Sequence, residues 1–274
     1  MISEYRIPRN KILNKSFFID IFKELGVKKN LDLIVHSALW TFGLKIESPN
    51  DIIDAILESI DTKGTLIMPS HSGHLTDPRY WTNPGVKKEN IPKIIEEMKP
   101  FDSKTTKIRN RGILAEIFFK YKGIRRSNHP LNSVIALGPK AKYFTNSHPL
   151  HESEGYGSPA WKFYKEQGYA LLIGVGIPKS LTFIHLGEFL LNNPYLKHNK
   201  KKVLVFENGK KKFVTLKKYP QTGKYFVRLQ SVMEERKMMN VIKINTGYVY
   251  FFPFKDAIDL SMDMMKDNPN IFNE

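Results

Sequence analysis

The sequence predicts an α/β fold in one domain, and three observations carry that expectation. Short apolar runs bounded by glycine, YALLI between Gly168 and Gly174 above all, read as strands buried on both faces. Ser48-Pro49-Asn50-Asp51 combines an N-cap serine, proline at the first helical position and an acid in the first turn, which marks a helix start. Residues 31–69 set strand, helix and strand in series, the signature of a crossover between parallel strands.

The elements follow in order. Ser16 is placed to cap a helix through Leu25, and the run 31–35 forms a strand that delivers His36 and Ser37 at its end, before a turn at Thr41-Phe42-Gly43. The helix opened by Ser48 carries Ile52, Ile53, Ile56, Leu57 and Ile60 on one side, and Gly64 separates it from a strand at 65–69. From 70 to 90 the composition turns to His, Ser, Gly, Asp, Pro and Trp without period, a long loop of the kind that often carries function. Short helices at 91–98 and 112–120, a strand at 133–137, and helices begun by Pro139 and by Ser158-Pro159 lead to the YALLI strand. Beyond Leu191 the pattern alternates. Residues 203–206, a turn at Asn208-Gly209 and residues 213–216 read as a hairpin, 241–244 and 248–252 as a second pair, and 256–266 as an amphipathic helix. No repeat or linker interrupts the chain, so residues 1–274 are expected to be one domain with a β-rich insertion at about 197–252.

Composition bounds the function. A chain of 274 residues with 41% hydrophobic and 26% charged residues can build a substantial core. The absence of cysteine excludes disulfides, thiolate metal sites and a cysteine nucleophile. The first residues lack an apolar leader segment, and nowhere do eighteen apolar residues run uninterrupted, which predicts a soluble, cytoplasmic protein without membrane insertion. A net charge of +16 draws anions, and much of the excess lies in Lys200-Lys201-Lys202 and Lys210-Lys211-Lys212. A nucleic acid polymer is disfavoured, because the basic run lacks interleaved aromatics; a nucleotide or coenzyme A fits better, with a solvated lysine face as the alternative.

Chemistry concentrates after the YALLI strand. A Gly-rich turn leads into a helix on which His185 and Glu188 stand three residues apart, hence on one face, so a base and a carboxylate meet where open α/β sheets place their sites. Other constellations compete poorly. His71-x-x-His74 with Asp77, or His148-x-x-His151 with Glu152, match no standard metal signature, and no metal is expected. Gly174-x-Gly176 lacks the third glycine of a dinucleotide fingerprint, and a basic binding module with a degenerate site remains the non-enzymatic alternative.

Six blocks, VHSALWTFG (35–43), GTLIMPSHS (64–72), FDSKTTKIRNRGILAEIF (101–118), RSNHPLNSVIALG (126–138), EGYGSPAWKFY (154–164) and LLIGVG with TFIHLGEF (171–189), resemble the aminoglycoside 3-N-acetyltransferase family in order and spacing. The resemblance implies a three-layer α/β/α fold around a central mixed sheet and acetyl-coenzyme A as co-substrate. It implies His185 as general base and Glu188 as its orienting carboxylate. His36, Ser37, Ala38, Leu39 and Gly43 correspond to the loop holding the coenzyme, and Ser70, Ser127 and His129 to positions lining the cleft; Ser70 or a backbone N–H is the expected oxyanion donor. The family's loop carries two small hydroxyl residues after the histidine, whereas the second is Ala38 here. Direct attack by an amine in a ternary complex is expected. The lysine-dense stretch 195–228, whose one acid is Glu207, favours a nucleotide-linked amino sugar of surface polysaccharide biosynthesis as acceptor; Asp77, Glu152 and Glu154 keep a polycationic aminoglycoside as the alternative. Oligomeric state is left open, a homo-oligomer included.

Overall fold

The computed structural model describes residues 3–82, 84–180, 182–193, 199–207, 210–218 and 223–272. Its strands are β1 (Ser3–Tyr5), β2 (Ile12–Leu13), β3 (Asp32–Ser37), β4 (Lys45–Ile46), β5 (Thr65–Pro69), β6 (Arg125–Arg126), β7 (Val134–Leu137), β8 (Tyr169–Ile173), β9 (Asn199–Glu207), β10 (Lys210–Lys218), β11 (Asn240–Ile244) and β12 (Gly247–Pro253). Eight of them make one mixed sheet in the order β1-β11-β12-β8-β3-β5-β7-β6. The centre is parallel, β8 beside β3 beside β5, and antiparallel β12 and β7 flank it. The expected crossover is present, with the helix Pro49–Ile60 between β3 and β5.

Alternation along the strands builds the layers. Leu33, Val35, Leu171 and Ile173 pack with the helices Lys15–Glu24, Pro49–Ile60 and Ile113–Phe118. Ile34, Ala170 and Leu172 belong to the opposite cluster, with the helices Pro159–Lys165, Val227–Glu235 and Phe254–Asp267. The protein is therefore an α/β/α sandwich around a mixed sheet. These two clusters hold it together, because a buried Leu, Ile or Phe contributes about 1.5–3 kcal/mol. Exposed ion pairs such as Lys93–Glu97 and Lys266–Asp263 add little beside them, because water screens both charges.

Two helix starts agree with expectation and one differs. Ser48 and Ser158 cap their helices, accepting from the backbone of Asn50 at 3.3 Å and of Trp161 at 3.1 Å. The first helix is capped by Asn14 instead of Ser16: Asn14 Oδ1 accepts from the Phe17 backbone at 3.2 Å, and Ser16 donates to that same oxygen at 2.8 Å. Either residue type can cap, and the choice falls to the one with extended backbone.

The stretch expected as a single β-rich insertion divides. β9 and β10 form a separate two-stranded sheet, whereas β11 and β12 are integral to the main sheet, β12 directly against β8. The reason is in β12 itself: Phe251 packs on one side of the sheet while Tyr250 and Phe252 pack on the other, so this strand needs cover on both faces. The Asn208-Gly209 turn lies outside the described residues. Val203 and Leu216 of the hairpin pack on Leu75 and Leu131, and the Asp77 N–H donates to the Lys202 carbonyl at 2.9 Å. The hairpin thus sits on the 70–90 loop, which holds short 3-10 turns at Gly73–Leu75, Pro78–Tyr80 and Lys88–Asn90.

Candidate active site

The parallel strands β3, β5 and β8 end side by side, and the conspicuous residues gather there. His36 is buried near the end of β3, and the chain then winds through the 3-10 turn Leu39–Phe42 to Gly43, at φ 63. This turn is fixed to its neighbour strand. The Ala38 N–H donates to the Ile173 carbonyl at 2.8 Å, and Thr41 Oγ1 lies 2.8 Å from the Ala38 carbonyl and 2.9 Å from that of Gly174. Gly174 has φ +71, and a Cβ there would stand 2.4 Å from Thr41 Oγ1 and 2.5 Å from the Ala38 oxygen, so only glycine permits this approach.

His185 opens the helix His185–Leu190, directly after the 3-10 turn Thr182–Ile184. Helical spacing brings its Nδ1 onto Glu188 Oε2 in a short hydrogen bond, and both side chains are buried. A carboxylate only accepts, so Nδ1 carries a proton. The ring packs against Phe226 at 5.3 Å between centroids. Gly187 lets this helix lie close on Phe254–Asp267, where a Cβ would be 2.4 Å from Ser261 Oγ. Phe183, two residues ahead of His185, meets the His36 ring edge-on at 6.1 Å and joins the histidine–carboxylate pair to the turn after β3.

Ser70, Ser127 and His129 are placed differently from the expectation that they face the cleft. Ser70 is fully buried and donates to Ser133 Oγ at 3.0 Å, so its single hydroxyl proton points into the wall instead of toward an oxyanion. Ser127 Oγ lies 2.9 Å from His148 Nδ1, and His148 Nε2 lies 2.9 Å from the Ser153 carbonyl. A carbonyl only accepts, so His148 is neutral with its proton on Nε2, and Ser127 donates to Nδ1. His129 Nδ1 accepts from the Leu131 and Asn132 backbones at 3.1 and 2.9 Å, while Nε2 donates to the Leu150 carbonyl at 3.1 Å. These residues stitch the 127–133 loop to the 148–154 loop.

His36 and His148 are both neutral, for the same cause. Burial holds His148 well below the usual histidine range, with His129 adding to it; burial and then the Arg111 charge push His36 down to about 3. Above about pH 6.5 neither folded nor unfolded histidine is charged. Below that, the unfolded chain takes up protons that the folded one refuses, so stability falls with pH by about 1.4 kcal/mol per unit for each histidine. The urea midpoint is expected to stay level from pH 8 to 7 and to drop steeply toward pH 5; a level midpoint throughout contradicts the burial argument.

A profile described as aminoglycoside 3-N-acetyltransferase matches residues 34–266. This chain belongs to the aminoglycoside 3-N-acetyltransferase family. The SPbeta prophage-derived aminoglycoside N(3')-acetyltransferase-like protein YokD of Bacillus subtilis is 31% identical over 262 residues, covering 95% of this chain and 94% of the relative. Its crystal structure superposes with a TM-score of 0.86, covering 94% of this chain and 95% of that one. Aminoglycoside N(3)-acetyltransferase III of Pseudomonas aeruginosa is 27% identical over 203 residues, 73% of each chain. A structure of AAC-IIIb as a binary complex with CoASH shares the fold at 21% identity, with a TM-score of 0.79 over 94% of this chain and 97% of that one.

Within this family fold, two functional candidates escaped the sequence reading. Gly112, at φ +81, passes so close to the turn after β3 that a Cβ would stand 3.0 Å from the Ser37 oxygen, and it carries Arg111 to the side of His36. The only sequence signal was R-N-R-G ahead of an apolar helix. Of the residues set aside as metal ligands, Asp77 is fully buried and ion-paired with Arg79 at 2.6 Å, and His148 belongs to the loop network. Among the described residues no three histidines and carboxylates gather as a metal site. No described helix is long and apolar enough to cross a membrane.

Proposed function

We propose that this protein transfers an acetyl group from acetyl-coenzyme A to an amine of an aminoglycoside-class acceptor, with His185 as general base and Glu188 orienting it. The observation that carries the reading is the hydrogen bond from His185 Nδ1 to Glu188, on a helix that Phe183 joins to His36 near the end of β3. The relatives' names favour the aminoglycoside acceptor over the surface-polysaccharide amino sugar expected from charge.

The residues present suit the coenzyme. His36 Nε2 is buried without a hydrogen-bond partner, and the turn after β3, with Gly112 packed against it, brings backbone N–H groups to where a phosphate-bearing thioester would lie. When bound, acetyl-coenzyme A supplies the activated acyl group. An acceptor amine is largely protonated near neutrality, since amines of this kind titrate at about 7.7–8, and only its neutral form attacks. His185 Nε2 takes the amine proton; Glu188 keeps the Nδ1 proton in place and stabilises the imidazolium. Phe226 shields the ring from water on one side.

The test is release of coenzyme A thiol from acetyl-coenzyme A in the presence of an aminoglycoside panel and, in parallel, of nucleotide-linked amino sugars. Turnover with aminoglycosides supports the assignment; turnover only with the nucleotide-linked panel restores the biosynthetic acceptor. Tight coenzyme binding with silence toward both rejects both acceptors.

A further inference from the structure

A groove of about 930 Å³ opens between residues 71–82, residues 98–111 and Lys201 of the β9–β10 hairpin, and one of its lining residues, Arg111, places its charge within reach of His36. Its charged lining is Lys99, Arg109, Arg111 and Lys201, with His71 and His74 near them, and no carboxylate lines it among the described residues. None of the four cations is ion-paired with a described carboxylate. Arg111 is largely buried, its Nε has no hydrogen-bond partner, and burial alone depresses its pKa. Behind the wall Arg126 is a second desolvated guanidinium, held by the Ser70 carbonyl at 2.6 Å and Ser72 Oγ at 2.9 Å and stacked between Phe101 and Phe119. The nearby acids have other partners: Asp77 with Arg79, Glu154 with Asn132 at 2.8 Å and with Ser153, and Asp102, whose charge acts on Arg126 and not on Arg111, with the Lys104 and Thr105 N–H groups at 2.7 and 2.8 Å.

A guanidinium removed from water without a counter-charge is costly, and several unpaired cations around one concavity repel each other. Both costs fall when an anion enters. Arginine forks match phosphate and carboxylate geometry, and lysines add point charges around them. A polycationic aminoglycoside brings the wrong sign to this wall.

We propose that the groove is an anion subsite, in which Arg111, with Arg109, Lys99 and Lys201, binds a phosphate or carboxylate carried by the acceptor. The substrate class is thus an amine that also bears an acidic group, an O-phosphorylated aminoglycoside or a phosphorylated amino sugar. The inference rests on the acetyl-transfer reading only for the identity of the amine. Because Arg111 also stands by His36, the coenzyme's phosphates are the other source of the same chemistry, and the test separates the two.

Inorganic pyrophosphate is titrated calorimetrically into the protein alone and into protein saturated with coenzyme A. Expected are equal affinities in both, weakening as salt rises, a loss of at least about ten-fold in Arg111→Gln and a loss of a few-fold in the rim variant Lys99→Gln/Lys201→Gln. The rim variant keeps the test decisive if Arg111→Gln fails to fold. Turnover is then compared for an aminoglycoside and its O-phosphate: the phosphorylated form is expected to have at least about ten-fold higher kcat/KM, an advantage that the rim variant cuts by a few-fold. Absence of pyrophosphate binding, its displacement by coenzyme A, indifference to the rim variant, or preference for the unphosphorylated parent each overturns the subsite. Failure of the acetyl-transfer reading looks different: pyrophosphate still binds, but no amine releases thiol.

Discussion

Replacing His185 with alanine is expected to lower kcat by about 10²- to 10⁴-fold while changing coenzyme A affinity by less than about two-fold. The base is removed, but the bonds that hold the turn 36–43, Ala38 N–H to the Ile173 carbonyl and Thr41 Oγ1 to the Gly174 carbonyl, are not made by the imidazole. Glu188→Gln is expected to fall short of that loss. The amide can still accept from Nδ1–H, but it no longer stabilises the imidazolium and can equally donate to Nδ1, which favours the wrong tautomer. Thiol-release kinetics paired with calorimetric coenzyme binding read both variants. Turnover retained with coenzyme binding lost refutes the base assignment, and an unchanged rate in Glu188→Gln removes the orienting role.

Gly174→Ala is expected to destabilise the fold by several kcal/mol and to weaken coenzyme binding at least ten-fold. A left-handed backbone costs an alanine about 1–2 kcal/mol. The added Cβ also falls 2.4 Å from Thr41 Oγ1 and 2.5 Å from the Ala38 carbonyl, a steric conflict of the size that typically costs a further 1–3 kcal/mol. At about 2–4 °C per kcal/mol for chains of this size, thermal unfolding should shift down by roughly 5–15 °C. Adding Thr41→Ala removes the hydroxyl from the clash and leaves the φ strain and the Ala38 oxygen, so the double variant should recover part of the loss. A wild-type midpoint in the single variant means that the two turns separate freely, and the coenzyme loop is then not held as described.

Charge divides this chain along a line that family membership does not predict. Its relatives carry aminoglycoside names, yet the largest basic excess lies around the groove and the hairpin that overhangs it. Lys211 reaches the Glu96 carbonyl at 2.6 Å, so part of the hairpin's charge is structural; Lys201 faces the groove. The net charge of +16 thus has at least two roles, and composition cannot apportion them.

Local signals were legible in the residues: the buried strand YALLI, the Ser48-Pro49 and Ser158-Pro159 helix starts, the hairpin alternation, and His185 three residues from Glu188 all depend on neighbours within one or two turns of chain. Period, capping and turn chemistry act at that range, so a sequence displays them directly. What distance in the chain conceals was decided by tertiary structure. β11 and β12 read as part of an insertion until β8 receives them, because alternation cannot say which strand a neighbour pairs with. Ser70, Ser127 and His129 looked like cleft residues, and packing turned their hydrogen bonds inward to Ser133, His148 and Leu150. Arg111 was one cation among many until folding set it beside His36 with no described carboxylate paired to it. The sequence by itself determined the elements and the His185–Glu188 pair; only the tertiary structure decided which polar groups remain for a ligand, because desolvation depends on what the whole fold brings around each of them.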